Sequence, residues 1–105
     1  NEATILRVCN HPNIVRLLRS YTKEVAGLLP QLEYLGGGTL LGIDIQNNFP
    51  LLALWLLQIT SALAHLHKKG IVHRDVKLAN LMLDDQGRIR LIDFGMSAWQ
   101  WQVDL

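Results

Sequence analysis

Seven consecutive apolar residues, Leu51 to Leu57, constrain this chain more than any other stretch. They open a segment that reads as one helix from Pro50 to Lys69, and no face of its first half is polar. Asn48-Phe49-Pro50 is a helix start, with proline tolerated in the first turn, and Lys68, Lys69 and Gly70 form the stop. A helix apolar all round is normally enclosed by other structure. A chain of 105 residues has little with which to enclose it, so the helix implies either a fragment of a larger domain or an oligomer interface. Gln58, Thr60, Ser61 and His65 interrupt the apolar run, which falls short of the roughly 20 apolar residues that span a bilayer.

The remaining pattern alternates in type. Glu2 to Val8 is the end of a helix, and Asn10-His11-Pro12-Asn13 is a turn. Ile14 to Tyr21 and Val25 to Leu35 read as strands, the second weakened by Pro30. Gly36-Gly37-Gly38 breaks the pattern, and a short helix follows from Thr39. Leu81 to Leu83 and Arg88 to Ile92 are strands on either side of Asp84-Asp85-Gln86-Gly87, a hairpin turn. The fold class is α+β. Half of the residues are hydrophobic, which excludes a disordered tail, and a net charge of +1 with scattered Lys and Arg gives no case for nucleic acid or membrane binding. Cys9 is the single cysteine, so an intrachain disulfide is impossible and a reducing compartment is the default. Asn1 to Thr4 lacks the basic start of a signal peptide; a soluble, cytoplasmic or nuclear protein is expected.

The chemistry concentrates in two runs, His73-Arg74-Asp75-Val76-Lys77-Leu78-Ala79-Asn80 and Asp93-Phe94-Gly95. Asp75 and Asn80 share one loop, and the hairpin returns Asp93 beside them. Together these runs resemble the catalytic loop (HRDxKxxN) and the metal-binding loop (DFG) of eukaryotic protein kinases. The resemblance covers about residues 1 to 98. It implies ATP-dependent phosphoryl transfer to a protein Ser or Thr hydroxyl, Lys77 being the serine/threonine rather than the tyrosine pattern. Asp75 would accept the hydroxyl proton, Lys77 would lie against the transferred phosphate, and Asn80 and Asp93 would hold Mg²⁺, a hard ion that prefers oxygen.

The same resemblance assigns His73 a structural place beneath Phe94, in a column with Leu6 and Leu17. Arg74 pairs in related kinases with a phosphate on an activation loop that this sequence lacks. Glu2 would be the helix glutamate whose lysine partner is absent from the sequence; its alternative is a solvated carboxylate. Leu32-Glu33-Tyr34-Leu35 resembles the hinge between lobes, with Leu32 as gatekeeper, Glu33 and Leu35 offering backbone groups to adenine, and Met82 beneath the ring. Core packing is the alternative for Leu32 and Met82. The three glycines lack the spacing of a phosphate-gripping loop. His65 and His67, two apart on a helix, are packing or surface residues rather than metal ligands. The expected organisation is a remnant of the N-lobe and hinge over 1–35, the start of the C-lobe over 36–98, and an unassigned tail over 99–105. The alternative function is a non-catalytic module, or a chain that does not fold stably.

Overall fold

The computed structural model describes residues 2–19, 31–32, 35–44, 46 and 48–103. Helix α1 (Glu2–Arg7) leads through the His11-Pro12-Asn13 turn to β1 (Leu17–Arg19), which pairs antiparallel with β2 (Gln31–Leu32). The turn closes with Ile14 N–H donating to His11 O, as proline at its centre favours. The strand expected from Ile14 starts three residues later, because Ile14 and Val15 are used elsewhere. Ile14 bridges Leu91 in parallel, Val15 N–H donates to Leu91 O at 3.0 Å, and Leu91 N–H donates to Asn13 O at 2.8 Å. Most of the predicted second strand, including Pro30, lies outside the described residues.

The glycine run works by close approach. Gly37 N–H donates to Leu83 O, and a Cβ on Gly37 would lie 2.7 Å from that oxygen. Gly38 takes φ +74°, the left-handed region open to glycine. The helix expected after Thr39 is a single 3₁₀ turn, Leu40–Gly42.

Helix α2 (Phe49–Lys68) begins one residue before the expected position and ends one before it. Asn48 Oδ1 accepts from Leu51 N–H, a side-chain N-cap, and Gly70 at φ +74° ends the helix. Only Trp55, Ala62 and Leu66 of this helix are buried, against the hairpin of β4 (Leu81–Leu83) and β5 (Ile89–Leu91) and against β3 (Ile71–Val72). Leu54, Leu56 and Leu57 face outward at 48%, 54% and 69% exposure. The helix is also long and apolar enough to cross a membrane by length and composition, contrary to the sequence estimate. Polar contacts nevertheless tie it to the fold: Gln58 Oε1 accepts from Ile89 N–H at 2.8 Å, and Ser61 Oγ meets His11 Nε2 at 2.9 Å.

The tail is not separate from the fold. Ala98–Trp99 forms β6, antiparallel to β3, and helix α3 (Gln100–Val103) follows with Gln100 N–H donating to Gly70 O. The core gathers Ile5, Leu6, Ile14, Leu66, Ile71, Ile89, Leu91 and Phe94 around the hairpin. The observed class is a mixed α+β arrangement of helices and three two-stranded sheets among the described residues.

Candidate active site

The loop after β3 is organised by its histidine. His73 is 2% exposed, and its Nδ1 accepts from Asp75 N–H at 3.1 Å. That bond leaves the proton on Nε2, which donates to Ile92 O at 3.0 Å. Both nitrogens are thus engaged, which removes His73 as a general base. Its ring meets Phe94 edge-on, with centroids 4.7 Å apart, in the column expected from sequence. Leu6 is buried in the same core and Leu17 packs against it.

Asp75 and Asn80 are brought together. Asn80 Nδ2 donates to Asp75 O at 2.9 Å and to Asp75 Oδ2 at 3.1 Å. Because the amide nitrogen is committed to Asp75, the amide oxygen is the group Asn80 has left for a cation. Lys77 Nζ lies 3.6 Å from Asp75 Oδ1, with Lys77 exposed and Asp75 half-buried, so this pair adds little to stability. The short 3₁₀ turn Leu78–Asn80 places Asn80 directly before β4.

Asp93 reaches the same region through the hairpin. Ile92 N–H donates to Asn80 O at 3.0 Å, which locks the residue before Asp93 to the catalytic loop. Asp93 is exposed and adopts φ +54°, and its Oδ1 accepts from Gly95 N–H at 3.2 Å. Arg74 is likewise left-handed at φ +71°. Two non-glycine residues in that region flank one site, where such strain usually has a use.

Glu2 and Arg74 each have a partner that the sequence did not supply. Glu2 is not left without one: its Oε1 accepts from Phe94 N–H at 3.2 Å, so α1 touches the metal-binding loop directly. Arg74 donates from Nε to Met96 O at 2.8 Å, fixing the segment after Gly95 without a phosphate. Leu35 is buried at the edge of the core, and Met82 is half-buried in the middle of β4, where it bridges Thr39. Leu32 lies on β2, with its side chain outside the described set; Glu33 lies outside the described residues altogether. Among the described residues no cluster of three His, Cys, Asp or Glu could hold a metal. One asparagine oxygen and one carboxylate suit Mg²⁺, which retains waters and takes substrate phosphate oxygens rather than a full protein cage.

Sequence reading treated Asp84 as a turn residue and missed its weight. It is 6% exposed. Its Oδ1 accepts from Gln86 N–H and Arg88 N–H, both at 2.9 Å, and its Oδ2 from Arg88 Nε at 3.0 Å and Arg90 Nε at 3.3 Å. Burial pushes its carboxyl up, but the bonds from Arg88 and Gln86 outweigh that and hold it below its ordinary value. The signal was available: two arginines, at Asp84 plus four and plus six, on one face of a strand.

A buried histidine bonded at both nitrogens, a left-handed arginine and aspartate, and a hairpin that returns a second carboxylate match the loop pattern expected from sequence. The comparison with known families agrees: the protein kinase domain matches residues 1–102, and the chain belongs to that family. The match runs four residues past the end expected from sequence, into the segment that forms β6 and α3. The chain is 42% identical over 100 residues to the probable serine/threonine-protein kinase mkcD of Dictyostelium discoideum, covering 91% of this chain and 15% of that protein. It is 38% identical to the serine/threonine-protein kinase CLA4 of Candida albicans over 93% of this chain and 10% of that protein. It is 37% identical to MAP3K epsilon protein kinase 1 of Arabidopsis thaliana over 99% of this chain and 8% of that protein. The chain therefore spans less than a sixth of these relatives.

Proposed function

We propose that this chain supplies the catalytic and metal-binding loops of an ATP-dependent protein serine/threonine kinase, acting in the cytoplasm or nucleus within a longer catalytic domain. The observation that supports the reading is the pair of bonds from Asn80 Nδ2 to Asp75, which holds the residue proposed as base beside the one proposed as metal ligand. Asp75 takes the proton from the acceptor Ser or Thr hydroxyl. Lys77 sits beside it and neutralises charge on the phosphate in transfer. Asn80 and Asp93 would hold Mg²⁺, which supplies charge neutralisation across the ATP phosphates when bound. Glu2 holds the amide of Phe94, and so steadies Asp93 from the opposite side. Adenine binding is assigned to Leu32, Glu33, Leu35 and Met82 by the family resemblance.

The test is phosphate transfer to a generic protein substrate by a full catalytic domain built around this chain. Asp75→Asn is expected to lower kcat by a factor of about 100 or more, the usual contribution of a positioned base. Retention of more than a tenth of the activity would refute the role. A second reading, a non-catalytic docking module, draws on the exposed Leu54, Leu56 and Leu57. It requires partner binding that survives Asp75→Asn and Asp93→Asn together.

A further inference from the structure

The His11-Pro12-Asn13 turn is joined to α2 by two histidines that lie outside the candidate active site. The rings of His11 and His65 are 5.1 Å apart and tilted by 49°. Asn13 N–H donates to His11 Nδ1 at 3.0 Å, so that nitrogen carries no proton. The proton of the neutral ring is therefore on Nε2, which donates to Ser61 Oγ of α2 at 2.9 Å. One ring thus clips the turn to the helix, and it does so only while neutral. A proton added at Nδ1 would face Asn13 N–H donor to donor.

His65 meets the same difficulty from the helix side. Its Nε2 is buried with no hydrogen-bond partner among the described residues. A neutral ring can keep that nitrogen free of a proton, whereas a protonated ring has a donor at both nitrogens, one of them buried and unpaired. The turn also carries the docking of its neighbours. Asn13 is buried, its Nδ2 donates to Ile89 O at 2.9 Å, and its carbonyl accepts from Leu91 N–H at 2.8 Å. Val15 N–H donates to Leu91 O beside it.

The charged groups around the pair are mostly cationic. Lys69 and Lys68, at the end of α2, repel a proton from His65, and His65 repels one from His11. Arg16, Arg88 and Arg90 share the pocket that His11 lines, and Asp84, behind the hairpin arginines, is bonded to both Arg88 and Arg90. Burial raises the Cys9 thiol, which stays neutral. Burial is also the chief reason that both rings hold a proton more weakly than the ordinary value of 6.5 implies. Below that value, protons therefore favour whichever form frees the rings.

We propose that His11 and His65 form an acid-released latch: the neutral rings hold the turn on α2, and protonation frees the turn, and residues 13–15 with it, from β5. The latch is a local opening, with the hairpin and α2 remaining joined through Gln58 and Ile89.

The experiment is amide hydrogen exchange of the 105-residue chain at about pH 7.5 and about pH 5.5, corrected for the intrinsic pH dependence of exchange and read residue by residue by mass spectrometry. Ile89 N–H is the internal reference, because it lies on the same strand but is held by Gln58. The expected result is that the Asn13, Val15 and Leu91 amides lose protection relative to Ile89 as pH falls, by up to about tenfold per pH unit for each proton taken up on opening. In His11→Asn/His65→Phe that relative loss disappears. The new asparagine can accept from the amide two residues on, as in an Asx turn, and neither new side chain titrates. A parallel change at all four amides is whole-chain destabilisation and overturns the proposal, as does a relative change below about twofold at the three. An undiminished relative loss in the double variant overturns it as well. Should that variant fail to fold, the wild-type comparison decides alone.

Discussion

Replacing Asp84 with asparagine removes one charge from the hairpin while keeping its shape. In either amide orientation the new NH₂ faces two donors where an oxygen used to accept. With the amide oxygen on Gln86 N–H and Arg88 N–H, the NH₂ meets the Nε atoms of Arg88 and Arg90. The Arg88 pair is half open to solvent, with that side chain 43% exposed, and contributes at most about 1 kcal/mol. Arg90 is mostly buried and loses its carboxylate, which costs about 2 kcal/mol. The expected loss is therefore about 2–3 kcal/mol, measured by urea unfolding with the fluorescence of buried Trp55 as probe. The pH dependence follows from the lowered carboxyl pKa. The wild-type advantage is complete above the ordinary value of 3.8 and fades as pH falls through the lower folded value, so the two proteins converge in stronger acid. A deficit below about 1 kcal/mol at neutral pH would refute this account, as would one that grows as pH falls below the ordinary carboxyl range.

Gly37→Ala forces a Cβ to 2.7 Å from Leu83 O, a backbone atom that cannot rotate away, and should lower Tm by about 5–15 °C in a thermal melt. His11 and His65, with rings 5.1 Å apart, are both held below their ordinary pKa. Burial is the main cause for each, aided by repulsion from His65 for His11 and from Lys69 and Lys68 for His65. The unfolded chain therefore takes up protons first as pH drops below 6.5, and the urea midpoint should fall between about pH 7.5 and about pH 5.5. His65→Phe should flatten that fall, because it removes one of the two titrating rings. The outward face of α2 predicts self-association and hydrophobic-dye binding by the isolated chain, reduced in Leu54→Glu/Leu57→Lys; a monomeric parent in sedimentation would contradict this.

Local signals carried the legible part of the structure. The α2 boundaries followed from Asn48, Pro50 and Gly70, and the hairpin from its turn, because each depends on residues within a few positions of each other. The catalytic loop was legible because its spacing is fixed by chemistry. What escaped were contacts across long stretches of chain. The β3–β6 pair joins two-residue strands whose propensity is too brief to read, and it is specified by the pairing of Ile71 with Trp99. The bond from Phe94 N–H to Glu2 could not be read either, since nothing in a single carboxylate says which amide it will meet.

The docking of residues 13–15 onto β5 carries a consequence for the order in which the chain acquires structure. Asn13 Nδ2 bonds Ile89 O across 76 positions, and Glu2 bonds Phe94 across 92. The buried face of α1, Ile5 and Leu6, packs into a core completed by Ile89, Leu91 and Phe94. During synthesis Ile5 and Leu6 therefore stay available to chaperones until the β4–β5 hairpin has emerged.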